Sequence, residues 1–191
     1  MLRTGMKAIG SVALLHAAAS SASVLHSAMG RMECWNDDMT PPPSAFWQPS
    51  SRDIQISIIA SSMYSGAGVD CDVFGDAVSF EDPAARCCGQ AEVSECFRAL
   101  RYLKPEQVSA PQVAYSTADS VVVLLHQRYL ERVVLRSELH VALDGAGKIC
   151  SMEERWNGRR LMGSAVAVDV MRPVRRLNGM LSFLLTSKLL S

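Results

Sequence analysis

The chain has no excess of either charge: 19 Lys and Arg stand against 19 Asp and Glu, for a formal net charge of zero. Nucleic acid is held by a basic face, so it is not an expected partner. Aromatic residues are sparse, at 6% of the chain, which removes the stacking platforms that bind single strands. The six cysteines, at 34, 71, 87, 88, 96 and 150, include no C-x-x-C pair and have no histidines at zinc-finger spacing. A structural zinc site is therefore not expected. No cofactor or metal is anticipated, and the thiols read as reduced, partly buried side chains. No apolar run is long and unmixed enough to suggest a spanning helix.

What is present divides the 191 residues into four parts. Residues 1–32 carry Arg3 and Lys7 ahead of an Ala/Ser-rich apolar run, with no acid before Glu33. That composition predicts a targeting leader, organellar (mitochondrion or plastid), with a secretory signal as the alternative. Residues 33–50 read as a linker, kept extended by Pro41-Pro42-Pro43 and stopped by Pro49. A folded domain is expected over 51–161 and a basic, apolar tail over 162–191. In that tail Arg172, Arg175 and Arg176 precede a helical stripe of Leu177, Met180, Leu181, Leu184, Leu185 and Leu189. Residues 171–191 fit a helix packed on the domain or one lying on a membrane surface.

Within the domain, Ser50 or Ser51 caps a predicted helix from about Arg52 to Ser65, with Ile54, Ile58, Ile59 and Met63 as its apolar face. Val73 to Phe80 alternates as a strand and is stopped by Glu81-Asp82-Pro83. Gly89 then precedes a helix over Ala91–Tyr102, with Val93, Cys96, Phe97, Leu100 and Leu103 at helical spacing. Strands are predicted at Val108–Ser116, Ser120–Leu135, Glu138–Leu143 and Lys148–Trp156, the last two joined by the turn Asp144-Gly145-Ala146-Gly147. Helices come early and strands cluster late, with short connections. That order predicts an α+β domain with an antiparallel meander.

Phe80-x-Asp82-Pro83, Gly89 and the helix ending Phe97-Arg98-Ala99-Leu100 resemble the SnoaL-like branch of the NTF2-like superfamily. Val141-x-Leu143-Asp144-x-x-Gly147-Lys148-Ile149, followed by Glu153-x-x-Trp156-Asn157-Gly158, fits the hairpin that closes that fold. The resemblance spans roughly Ile54 to Leu161 and points to the uncharacterised eukaryotic members. It implies an NTF2-like cone: a curved antiparallel sheet wrapped over N-terminal helices, with a cavity at its open end. Members include isomerases, dehydratases and cyclases as well as binding and dimerisation modules, so the fold implies a shape and not an activity.

An acid–base isomerase of this shape needs a carboxylate base and a neutral donor in an apolar pocket. Asp82, His140 and Glu153 are the candidate catalytic residues. Tyr115, His126, Tyr129, Arg155 and Trp156 are the candidate ligand-pocket residues. Structural readings stand beside these. Asp82 suits a turn whose carboxylate accepts backbone N–H groups. His126 suits a core or edge position. Glu153, Glu154 and Arg155 suit cross-strand ion pairs with Arg128, Arg132 or Arg136. Cys87-Cys88, ahead of a helix, offers a stabilised thiolate. No pair reproduces a known catalytic pattern. The expectation is therefore an organelle-targeted, pocket-bearing domain of unknown ligand, binding or non-catalytic, with a hydrophobic small molecule as candidate partner. The alternative is a small lyase or isomerase using carboxylate/His proton transfer on such a molecule. A homodimer formed through the outer sheet face is a third reading.

Overall fold

A computed structural model describes residues 48–156 and 172–180. The expected leader, most of the linker, the stretch 157–171 and the distal tail lie outside the described residues. Helix α1 runs Ser51–Tyr64 behind a capping box: the Ser50 hydroxyl accepts from the Asp53 amide, and Asp53 accepts from the Ser50 backbone. Asp53 also accepts from Ser116 Oγ at 3.0 Å, and Arg52 Nη1 and Nη2 donate to the carbonyls of Ala118 and Thr117 at 2.6 Å. The start of α1 is thereby tied to the distant turn at Ser116–Ala118.

Six strands follow: β1 Phe74–Glu81, β2 Arg86–Cys88, β3 Glu106–Ser116, β4 Ser120–Tyr129, β5 Val133–Leu143 and β6 Ile149–Trp156. Helix α2, Gln90–Ala99, sits between β2 and β3 and continues into a 3-10 turn, Leu100–Leu103. The strands form one curved sheet in the order β2-β1-β6-β5-β4-β3. Register shifts within β3 and between β1 and β6 bend it, as bulges do. The inner face packs on both helices through Phe74, Val78, Phe80, Val121, Val123, Leu125, Leu139, Val141 and Met152 against Ile56, Met63, Tyr64, Val93 and Phe97. Each such buried side chain contributes about 1.5–3 kcal/mol relative to exposure. This is the α+β cone that the resemblance implies.

Four details differ from the sequence expectation. The sheet is mixed, because β1 pairs with β6 in parallel while every other pairing is antiparallel. Ser120–Leu135 is not one strand: it turns at Leu130 and Glu131, both in the left-handed region at φ 51° and 63°. Neither residue is a usual turn former, so composition gave no stop. Helix α1 is rotated from its expected face, burying Asp53, Ile56, Ala60, Met63 and Tyr64 and leaving Ile54 48% and Ile58 63% exposed. The bond network on Asp53 sets that rotation. Cys87, expected as a thiol ahead of a helix, lies within β2, paired with Phe80 and fully buried.

Residues 172–180 form a helix, α3, against the loop between β1 and β2. Arg176 binds the Glu92 carboxylate through both terminal nitrogens, while Leu177 and Met180 stay exposed. No helix among the described residues is long and apolar enough to cross a membrane.

Candidate functional site

A cavity of about 520 Å³ opens between the inner sheet face and the two helices. Its walls are mainly apolar: Phe80, Phe97, Leu100, Leu103, Leu130, Val133 and Leu135. The polar groups among them are few: Tyr64 from α1, Asp82 from the loop after β1, Cys96 from α2, Tyr129 from the end of β4, and Glu154 and Trp156 from β6. Strand alternation explains the last pair, since Met152, Glu154 and Trp156 share the inner side of β6.

Glu154 is the central group. It is 5% exposed and stands opposite Leu139. Burial, with the Asp82 charge second, pushes its carboxyl up to about 7, against the opposing influence of Ser137, Tyr64 and Trp156. Tyr64 Oη and Trp156 Nε1 come close enough to favour the charged form of Glu154. Neither completes a hydrogen bond with it or with any other described group. Two buried donors therefore stand beside Glu154 in the cavity wall with their hydrogen bonds to it incomplete, an arrangement native interiors usually avoid.

Asp82 has both of the roles that the sequence offered. Its Oδ1 accepts from the amides of Ala84 at 2.7 Å and Ala85 at 2.5 Å, which makes the expected turn. The same carboxyl borders the cavity, and burial raises it above the ordinary aspartate value despite those two bonds and the charge of Arg175. Burial lifts both cavity phenols further from ionisation. The Cys96 thiol is also raised, first by its hydrogen bond with Cys87 and then by burial, so it stays a thiol at neutral pH.

The eight sequence candidates separate by face. Asp82, Tyr129 and Trp156 line the cavity. His140 and Glu153 pair with each other across β5 and β6 on the outer face, so they do not converge with Asp82. His140 Nε2 lies 3.1 Å from Glu138 Oε2, and Arg155 Nε donates to Glu153 Oε1 at 2.9 Å. His126 and Tyr115 also point outward, opposite Arg136 and Val122. Burial, then the charges of Arg136 and Arg128, lower the His126 imidazole. The alternation of β4, β5 and β6 decides four of the five outward placements, and Tyr115, on β3, follows outward-facing Val122 after a register shift. Glu154 and Tyr64 were missed. For Glu154 the signal was present, an acid on the same strand face as Met152 and Trp156. Among the described residues no cluster of His, Cys, Asp and Glu could hold a metal ion.

No family model matches this chain, and no curated protein matches it. Solved structures similar to it include an NTF2-like protein of unknown function from Cytophaga hutchinsonii, at 12% identity and TM-score 0.44, covering 58% of this chain and 93% of that one. A SnoaL-like protein of unknown function from Burkholderia thailandensis aligns at 15% identity and TM-score 0.41, covering 56% and 96%. A steroid delta-isomerase from Pseudomonas aeruginosa aligns at 17% identity and TM-score 0.43, covering 70% and 96%. The alignments are partial and the identities low. The cavity stands on its own geometry.

Proposed function

We propose that the cavity binds an uncharged, largely hydrophobic small molecule bearing a hydrogen-bond acceptor such as a carbonyl. Protonated Glu154 donates to that acceptor beside Tyr64 and Trp156. The supporting observation is the coincidence, in the wall of one apolar cavity, of a carboxyl raised to about 7 and two buried donors whose hydrogen bonds to it are incomplete. An unsatisfied buried donor costs about 1–3 kcal/mol, which a ligand acceptor would recover. The cavity, at about 520 Å³, falls within the size range of small-molecule sites. An anionic ligand is disfavoured, because it would be buried in an apolar cavity with no cation among its lining residues.

Proton transfer on the bound molecule is the second reading. It is favoured by the two carboxyls, both raised by burial, that share the cavity. In this form the acid–base pair is Asp82, one of the three expected catalytic residues, with Glu154 in place of His140 and Glu153. The test uses Nile red, a neutral, carbonyl-bearing hydrophobic dye, titrated by fluorescence against the full chain. Binding is expected to weaken above about pH 7 as Glu154 ionises, and Tyr64→Phe to weaken it severalfold. Absence of binding, or binding insensitive both to pH and to Tyr64→Phe, would overturn the reading. We also infer, from composition alone, that residues 1–32 direct the chain to an organelle. A fluorescent fusion carrying them should lose import when Arg3 and Lys7 are replaced by Glu.

A further inference from the structure

Helix α3 contributes none of its described residues to the cavity lining, yet it is built into the wall behind Asp82. Arg175 is 1% exposed, a placement costly for any charge that lacks partners. Its Nε donates to the Asp82 carbonyl at 2.8 Å, and its Nη2 lies 3.5 Å from Glu81 Oε2. Further along α3, Asn178 Nδ2 donates to the Ala84 carbonyl at 2.7 Å, and Arg176 Nη1 reaches the Arg86 carbonyl at 3.5 Å. Gly179 packs so closely on that last carbonyl that an added Cβ would collide with it. Alternate carbonyls of one lip, at 82, 84 and 86, are thus held by one helix. Asp82 and the two alanines whose amides it binds form part of the cavity wall.

The charges around this corner come from every element that packs on it. Asp82 interacts with Glu81 on β1, Tyr64 on α1, Cys96 on α2, Tyr129 on β4, Glu154 on β6 and Arg175 on α3. Arg175 in turn interacts with Glu81, Asp82, Arg86 and Glu153. Of the groups that act on Asp82, Arg175 is the cation. Two carboxyls in one buried site cannot easily both ionise, and a fixed cation beside one decides which does.

We propose that Arg175 is a positioning residue for the cavity: its guanidinium, bonded to the Asp82 carbonyl and paired with Glu81, fixes the Asp82–Arg86 lip and sets its positive charge beside Asp82 and not beside Glu154. The consequence for ligand binding rests on the proposed function, but the lip and the charge order do not. Carbon-13 NMR titration of the side-chain carboxyls in the unliganded full chain therefore tests Arg175 separately from any failure of ligand binding. With Arg175→Met, the Asp82 midpoint is expected to rise by about 1–3 units, and the Glu154 midpoint to fall as its neighbour's charge is lost. Arg175→Lys keeps the charge but not the guanidinium geometry. It should preserve the order of the two midpoints while the amides of Ala84 and Ala85 exchange severalfold faster. Unchanged midpoints in folded Arg175→Met would overturn the charge role. Unchanged amide exchange in Arg175→Lys would overturn the lip role, and that result stands even if Arg175→Met does not fold.

Discussion

Glu153 and Glu154 are adjacent on β6 and project from opposite faces of the sheet. Glu153 faces His140 across the strand pair and is bound by Arg155 Nε at 2.9 Å and Nη2 at 3.2 Å. Its side chain remains 32% exposed, so water shares the charge. Glu154 faces Leu139, is 5% exposed, and has Asp82 as a charged neighbour. One residue of strand alternation thus separates a satisfied surface ion pair from a carboxyl that keeps its proton near neutrality. The chemically useful acid is the one without a salt-bridge partner.

The largest expected effect that sharpens this contrast is on Glu154. Its carboxyl is raised from 4.5 to about 7, so between those values the folded chain holds a proton that the unfolded chain has released. Folding stability is then highest below the unfolded value and falls as pH rises through the folded one. At about 1.4 kcal/mol per unit, the loss amounts to roughly 3 kcal/mol by about pH 8. Glu154→Gln should remove that slope and make the protein more stable than the parent at alkaline pH, as read by urea unfolding across pH.

Asp53 gives the next largest effect, with the opposite sign. Burial alone would raise it, but hydrogen bonds from the Ser50 side chain and backbone, Arg52 and Ser116 outweigh that and lower it. Its stabilisation is present above the unfolded value and is lost as pH falls through the folded one. Asp53→Asn should cost about 1–2 kcal/mol at neutral pH and converge on the parent in strong acid. Two buried carboxylates, one fully hydrogen-bonded and one not, should thus bend the stability curve in opposite directions.

The smallest effect belongs to the outer face. Glu153→Gln should change unfolding free energy by less than about 1 kcal/mol, because partly exposed ion pairs contribute little. Nile red binding should not change at all. A large change in dye binding would mean that the two faces are not separate in function.

Much of this contrast was legible in the sequence, but only where local rules suffice. The apolar spacing of Val93, Phe97 and Leu100 placed α2, and the Asp144–Gly147 segment placed the last turn, where the Gly147 amide donates to the Asp144 carbonyl at 2.9 Å. Alternation also put Glu154 on one strand face with Met152 and Trp156. Its role was hidden because that role depends on register. Without Gly, Asn or Pro at Leu130–Glu131, β4 and β5 could not be separated, so Arg128, Arg132 and Arg136 looked available as partners. A bulge beside Cys150 moved Ile149 to the inner face, against simple alternation. Tyr64 was missed for a similar reason: the rotation of α1 is set by Asp53, whose partner Ser116 is distant in sequence.

A neutral acceptor-bearing ligand bound onto protonated Glu154 must leave its mark on the titration of that carboxyl. The most direct measurement follows the Glu154 carboxyl by carbon-13 NMR across pH, with and without saturating Nile red. A midpoint near 7 is expected in the free protein, with a clear upward shift when the dye is bound, because the ligand binds the protonated form. An identical Glu154 midpoint with bound dye, or one near the value of an ordinary exposed glutamate in the free protein, would contradict it.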